Sequence, residues 1–221
     1  MRFTTIFFDL DDTLYPSSTG LWAVLKGRMN DYMRERLGFP EAEIPALRER
    51  YFMQYGTTLR GLQANHRIDT TDYLAYVHDV RLEDYLTPDP LQRSVIASLG
   101  TRNLIFTNAD AAHARRVLTA LGLADLFESV VDVNAMEPYC KPMPESFALA
   151  MRTAGADDPA QCVMIDDLPR TTRAARGAGM FALLYGSTQA PRLARDLRRP
   201  DADAAFMDWS ALPGLLNGVT A

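Results

Sequence analysis

Two cysteines and three histidines are all that this 221-residue sequence offers of the softer metal ligands. Cys140 and Cys162 form no metal-ligand spacing, and free thiols fit a reducing compartment. His66, His78 and His113 are scattered with no HxH or HxxxH pair. Each therefore reads as a surface or capping residue, not a ligand. No apolar run approaches the roughly 18 residues of a membrane span. The N-terminus lacks the basic region and long apolar stretch of a signal peptide, so the expected location is the cytoplasm. A net charge of −5 supplies no global attraction for a nucleic-acid polymer or an anionic membrane. An anionic substrate would have to be held by local cations. Internal repeats and low-complexity segments are also missing, and a chain of this length can bury one core with room for an inserted module.

What is present concentrates near the start. Asp9-Leu10-Asp11-Asp12-Thr13 puts three carboxylates within four residues, directly after the apolar run Thr4–Phe8. Burying an ionised carboxylate is costly, and crowding several raises the cost by like-charge repulsion. A strand ending in such a cluster needs a compensating cation. Read alone, the same stretch also fits a solvated Asp-rich turn.

Short apolar runs at Thr4–Phe8, Asn103–Thr107, Ser129–Val133, Cys162–Ile165 and Phe181–Tyr185 read as buried parallel strands. Helical patterns alternate with the later ones: Ala111–Leu121 between an Asp110 cap and Gly122, Glu145–Ala154, and Arg170–Ala178 before Gly179. The expectation is an α/β fold with a doubly wound parallel sheet. Residues 16–86 break the alternation with helical patterns at Leu21–Leu37, Ile44–Tyr55 and Thr71–Val77. They read as an all-helical insertion, the remaining 1–15 and 87–221 forming the α/β core. Pro88 and Pro90 mark the return to the core. The arginine-rich Arg192–Arg199 reads as a solvated helix.

Three further groups fall at predicted strand ends, where open α/β sheets bind ligands. Thr107-Asn108 offers a hydroxyl, an amide and nearby backbone N–H groups to phosphate oxygens. Lys141, held beside Pro142, could neutralise an attacking carboxylate and a phosphoryl group. Asp166-Asp167 again demands a cation, and oxygen-only ligands favour Mg²⁺ over zinc.

In order and context these residues closely resemble the haloacid dehalogenase superfamily. Asp9-Leu10-Asp11-Asp12-Thr13 matches its DxDxT motif, and Thr107, Lys141 and Asp166-Asp167 match its later motifs. The insertion is similar to the helical C1-type cap of that superfamily. The resemblance implies that Asp9 attacks phosphorus to form an aspartyl-phosphate. It makes Asp11 the proton carrier, able to hold a proton near neutrality beside other carboxylates. It also implies Mg²⁺ held by Asp9, the backbone carbonyl of Asp11, Asp167, and Asp166 directly or through water. Thr107, Asn108 and Lys141 would bind the phosphoryl oxygens. A dehalogenase expels halide, which needs no proton, whereas a phosphatase expels an alkoxide, which does. Asp11 therefore favours phosphoester hydrolysis, and is equally compatible with a phosphomutase.

Within the insertion, Tyr51-Phe52-Met53-Gln54-Tyr55-Gly56 and the following Arg60-Gly61-Leu62 resemble the pyrimidine 5′-nucleotidase branch. Gly56 and Gly61 are read as bracketing a loop from which Arg60 reaches the substrate. Leu168 and Thr171 depart from the branch, which has a small polar residue and an asparagine there. This alters the shell around the fourth motif. The resulting expectation is a Mg²⁺-dependent phosphatase of small phosphate monoesters, pyrimidine nucleoside monophosphates first. Its rivals are a phosphatase of a sugar phosphate, phosphoglycolate or pyridoxal phosphate, or a non-catalytic binding protein of the same fold. The expected partner is a small phosphate ester and the protein a monomer or homodimer.

Overall fold

The run Thr5–Phe8 (β1) is buried on both faces, the environment that favours an unbroken apolar strand over an alternating one. The computed structural model describes residues 3–186 and 201–218. In it β1 lies inside a six-stranded, wholly parallel sheet. The other strands are β2 (Arg102–Phe106), β3 (Ser129–Val131), β4 (Cys162–Asp166), β5 (Phe181–Tyr185) and β6 (Ala204–Phe206). Their spatial order is β3-β2-β1-β4-β5-β6. The chain winds outward through β2 and β3, then returns to the other side of β1, so strand order reverses between β1 and β4. Phe8 is level with Ile105 on one side and Ile165 on the other. The residues that follow β1, β2 and β4 therefore emerge together at this switch point.

Alternation along the strands splits the core into two layers. Ile6, Phe8, Ile105, Val163 and Ile165 face one layer with α5 (Pro90–Ser98), α6 (Ala111–Ala120) and α9 (Leu212–Asn217). Phe7, Leu104, Phe106 and Met164 face the other with α7 (Pro144–Ala154) and α8 (Pro169–Gly177). This is the doubly wound arrangement expected. Three core elements were not: α5, β6 and α9. Pro90 suggested only a break, but it occupies the first turn of α5, where a missing N–H costs nothing, behind an Asp89 cap. Arg192–Arg199 lies outside the described residues. Among those described, no helix is long and apolar enough to cross a membrane.

Between β1 and α5 run α1 (Leu21–Glu35), α2 (Ile44–Tyr55), α3 (Thr58–Asn65) and α4 (Thr70–His78), forming the helical cap. Tyr32, Met33, Ile44, Tyr51, Leu62 and Tyr73 belong to its own apolar cluster. Here one expectation fails. The segment from Thr58 is a helix, not a loop, started by the Thr57 hydroxyl accepting from Arg60 N at 3.0 Å. Gly61 lies inside it because a Cβ there would sit 2.2 Å from Cγ of Tyr51. Gly56 ends α2 at φ +86°, and its Cβ would meet Cys140 Sγ at 2.6 Å. The two glycines allow close approach of α3 to α2 and of the cap to the core.

Candidate active site

The chain leaves β1 through a tight turn. Thr13 N and Leu14 N both donate to Leu10 O, and Asp12 takes the left-handed φ of +59°. Asp tolerates that conformation better than most residues. The turn brings Thr13 back over the strand end, where its hydroxyl donates to Asp9 Oδ2 at 3.2 Å. Lys141 Nζ donates to Asp9 Oδ1 at 2.6 Å and to Asp166 Oδ2 at 2.7 Å. All three residues are buried. Asp166 Oδ1 accepts from Leu168 N at 2.9 Å, so both of its oxygens are engaged. Among the described residues, the Asp167 carboxylate has no hydrogen bond.

Oxygens of Asp9, Asp166 and Asp167 lie within 4.8 Å of one another. Burial, reinforced by Asp166 and opposed by Lys141, pushes the Asp9 carboxyl up to about 7. Burial together with the charges of Asp166 and Asp9 pushes Asp167 up to about 9. Burial works against the charge of Lys141, but Asp166 and Asp9 outweigh it and raise its ammonium above the ordinary lysine value. Three crowded carboxylates thus face one ammonium, and two of them, Asp9 and Asp167, hold their protons well above the ordinary carboxylate range. An oxygen-only set of this kind fits a hard divalent ion.

Thr107 follows β2 and is buried at the cavity; its hydroxyl accepts from Ala109 N at 3.0 Å, leaving its proton to donate. Asn108 lines the cavity, and its side-chain amide is also bonded to the main chain of Lys141. Its Nδ2 donates to Lys141 O at 3.0 Å and its Oδ1 accepts from Lys141 N at 2.9 Å. It braces the lysine loop. Arg60 is elsewhere than expected. Because α3 is helical, its guanidinium points to main-chain carbonyls, those of Tyr139 at 2.8 Å and Val133 at 2.5 Å, and to Gln63 Oε1 at 2.6 Å. It ties cap to core and is not among the residues lining the cavity.

Lining the cavity together with Arg48 is Arg170, which received no role from the sequence. It donates to Phe52 O at 2.8 Å and Gly56 O at 2.6 Å, with its guanidinium 3.4 Å above the Phe52 ring. The departure at Leu168 is harmless to Asp166, because the bond comes from the Leu168 main chain and any side chain permits it.

Nor are all the histidines surface or capping residues. His66 Nε2 lies 2.7 Å from the Tyr51 hydroxyl, whereas His78 and His113 stack at 4.1 Å. His113 Nε2 is 3.2 Å from Asp11 Oδ1, which also accepts from the Tyr15 hydroxyl at 2.7 Å. Burial would raise the Asp11 carboxyl, but His113 and Tyr15 outweigh it and hold it below the usual range. Crowding by carboxylates therefore does not give Asp11 a proton near neutrality in this state. A dianionic group arriving in the cavity would push it upward. The cavity, of about 430 Å³, has Asp9, Asp11, Thr107 and Lys141 on the core side. Trp22, Lys26, Arg48, Phe52 and Tyr73 form its cap side.

A family model described as haloacid dehalogenase-like hydrolase matches residues 3–179, which contain every group just placed. The chain belongs to this family. This haloacid dehalogenase-like hydrolase is 33% identical over 193 residues to Phosphate metabolism protein 8 of Saccharomyces cerevisiae, covering 81% of this chain and 60% of the yeast protein. It is 35% identical over 103 residues to the fructose-1-phosphate phosphatase YqaB of Escherichia coli, covering 46% of this chain and 54% of that protein. The hydrolase thus spans less than two thirds of the length of either relative. Its fold matches a predicted phosphoglycolate phosphatase from Haemophilus somnus with a TM-score of 0.63 at 18% identity, over 98% of this chain and 99% of that one.

Proposed function

We propose that this hydrolase is a Mg²⁺-dependent phosphatase of small phosphate monoesters, with pyrimidine nucleoside 5′-monophosphates as its first candidates. The observation that carries the reading is the Lys141 ammonium bonded to both Asp9 and Asp166 beside Asp167, with Asp11 held separately at the same cavity. Residues 16–86 act as the cap and the rest of the chain as the catalytic core.

Asp9 attacks phosphorus, the P–O ester bond breaks, and its electron pair goes to the leaving oxygen, which takes a proton from Asp11. Water then attacks the aspartyl-phosphate and gives a proton to Asp11, releasing inorganic phosphate and Asp9. Lys141 and the Thr107 hydroxyl stabilise charge on the transferring group. Thr13 and Lys141 fix the two oxygens of the nucleophile, and Asn108 fixes Lys141. When bound, Mg²⁺ supplies charge neutralisation and orientation of the phosphoryl oxygens; Asp9, Asp166, Asp167 and the main-chain carbonyl of Asp11 would hold it.

The cap side supports a nucleotide. Trp22 and Phe52 offer aromatic faces for a base, and Lys26 and Arg48 add positive charge. Among the described residues, Arg48 Nε and the Tyr73 hydroxyl are buried without partners beside this wall, which suits a leaving group carrying acceptor oxygens. A second reading, a sugar phosphatase, draws on the Escherichia coli relative.

The test is a kcat/KM screen with Mg²⁺ over UMP, CMP, AMP, fructose 1-phosphate and phosphoglycolate. Preference for UMP and CMP is the expected result. Preference for fructose 1-phosphate selects the second reading, and uniformly poor activity rejects the nucleotidase assignment. Equal hydrolysis of an aryl phosphate by wild type and Asp9→Asn would remove the mechanism itself.

A further inference from the structure

The acid–base carboxylate of a phosphatase must meet the leaving oxygen within a few tenths of an ångström, and a free carboxylate rotates. Asp11 is not free. Its Oδ1 accepts from the Tyr15 hydroxyl at 2.7 Å and lies 3.2 Å from His113 Nε2, while the described residues offer its Oδ2 no hydrogen bond. Asp11 also lines the cavity. One oxygen is pinned and the other remains available to the substrate.

The histidine making this contact is itself immobilised. His113 belongs to α6, and its main-chain N–H donates to Asp110, the residue that starts this helix, at 2.9 Å. Its ring is buried and stacks on His78 at 4.1 Å with an interplanar angle of 16°. His78 Nδ1 lies 2.5 Å from Asp110 Oδ2, so the same aspartate anchors both histidines. Among the described residues, His113 Nδ1 is buried with no partner. An N–H there would be an unsatisfied buried donor, whereas a lone pair is tolerated more cheaply. The tautomer assigned on this ground carries its hydrogen on Nε2 and donates to Asp11.

We infer that His113 and Tyr15 are positioning residues that clamp one oxygen of Asp11 so that the other is aimed at the ester oxygen being expelled. This rests on the assignment of Asp11 as the proton carrier. Neither side chain need touch the substrate; both act through Asp11.

A leaving-group comparison separates this role from a merely structural one. Phenolate is a poor leaving group that needs a proton, whereas 2,4-dinitrophenolate departs without one. Because kcat/KM covers steps only up to the phosphoenzyme, the later work of Asp11 on water does not enter. With the full chain and Mg²⁺, His113→Leu should lower kcat/KM for phenyl phosphate by about 10- to 100-fold. For 2,4-dinitrophenyl phosphate it should fall by less than about 3-fold. His113→Gln, which keeps a donor, should recover most of the loss. Tyr15→Phe, which removes only a hydroxyl, should show the same selectivity and decides the matter if His113→Leu does not fold. An equal fall on both substrates, or no fall on either, overturns the inference. Asp11→Asn separates the two levels of argument. If it shows the selectivity and the His113 and Tyr15 variants do not, only the clamp is lost. If it does not, the proton-carrier assignment falls and the clamp with it.

Discussion

The two walls of the cavity are built from different material. On the core side, Asp9, Thr107 and Asp166 stand at or just beyond the ends of three adjacent strands, and main-chain bonds such as Asp9 N to Ile165 O fix their spacing. On the cap side, Trp22, Lys26, Arg48 and Phe52 project from helices whose positions depend on side-chain packing. The core wall is dense in carboxylates around one lysine, and the cap wall is aromatic and cationic. Strand ends are a rigid place for chemistry that tolerates little displacement, and helix faces are an adjustable place for choosing a leaving group. Arg170 and the His78–His113 stack are where the walls meet.

The largest effect should come from the core wall. Asp9→Asn is expected to reduce turnover by at least ~10³-fold, as loss of a covalent nucleophile does. It should not lower the melting temperature of the metal-free protein, because it removes a charge that burial disfavours. A normal rate with this variant would dissolve the distinction between the walls.

Next comes the response to Mg²⁺. The folded carboxyls of Asp9 and Asp167 are raised to about 7 and about 9 from 3.8. Above pH 3.8 the unfolded chain ionises while the folded site keeps its protons. Stability of the metal-free protein therefore declines as pH rises, until about 7 for Asp9 and about 9 for Asp167. A bound divalent cation offsets that penalty. The rise in melting temperature on adding Mg²⁺ should be larger at pH 8 than at pH 5, and much smaller in Asp167→Asn. A pH-independent rise would place the ion elsewhere.

Arg170→Ala tests the junction. Loss of its bonds to Phe52 and Gly56 should raise KM for a nucleotide roughly 10-fold while kcat changes less. A fall confined to kcat would instead make Arg170 part of the chemistry. Gly61→Ala concerns the cap alone. The clash with Tyr51 should cost about 1–3 kcal/mol, read by denaturant unfolding, while the metal response remains. The smallest effect belongs to a surface pair of the core. Arg93→Ala breaks a two-pronged contact with Asp125, both bonds 2.7 Å, in an exposed setting where such pairs contribute little. The hydrogen bond from Arg93 holds Asp125 down to about 2. Whatever stability the pair supplies is present above pH 3.8 and disappears as pH falls through about 2.

The parallel sheet was legible because each strand is a short apolar run followed by polar residues, a pattern that burial on both faces imposes locally. Asp9, Thr107, Lys141 and Asp166-Asp167 could be singled out for the same reason, each belonging to a polar break between apolar elements. The cap gave way differently. Arg60 sits in a segment whose two glycines suggested a loop, yet those glycines answer to Tyr51 and Cys140, neighbours no local pattern reveals. Its guanidinium accordingly went to carbonyls 73 and 79 residues away. Asn108 kept its place at the cavity and gained a second task, because its amide also meets the Lys141 main chain.

The scarcity of histidine and cysteine, the acidic run after the first strand and the order of the later polar breaks pointed to oxygen ligands for a metal and to a centre at the carboxyl ends of parallel strands. These follow from side-chain chemistry and from burial along single strands. Only the tertiary structure decided that two of the three histidines stand together, that one of them, 102 residues from Asp11, contacts it, and that Arg170, not Arg60, reaches the cavity. Such pairings are set by the angle and distance at which whole helices pack, and no periodicity within one element carries that information.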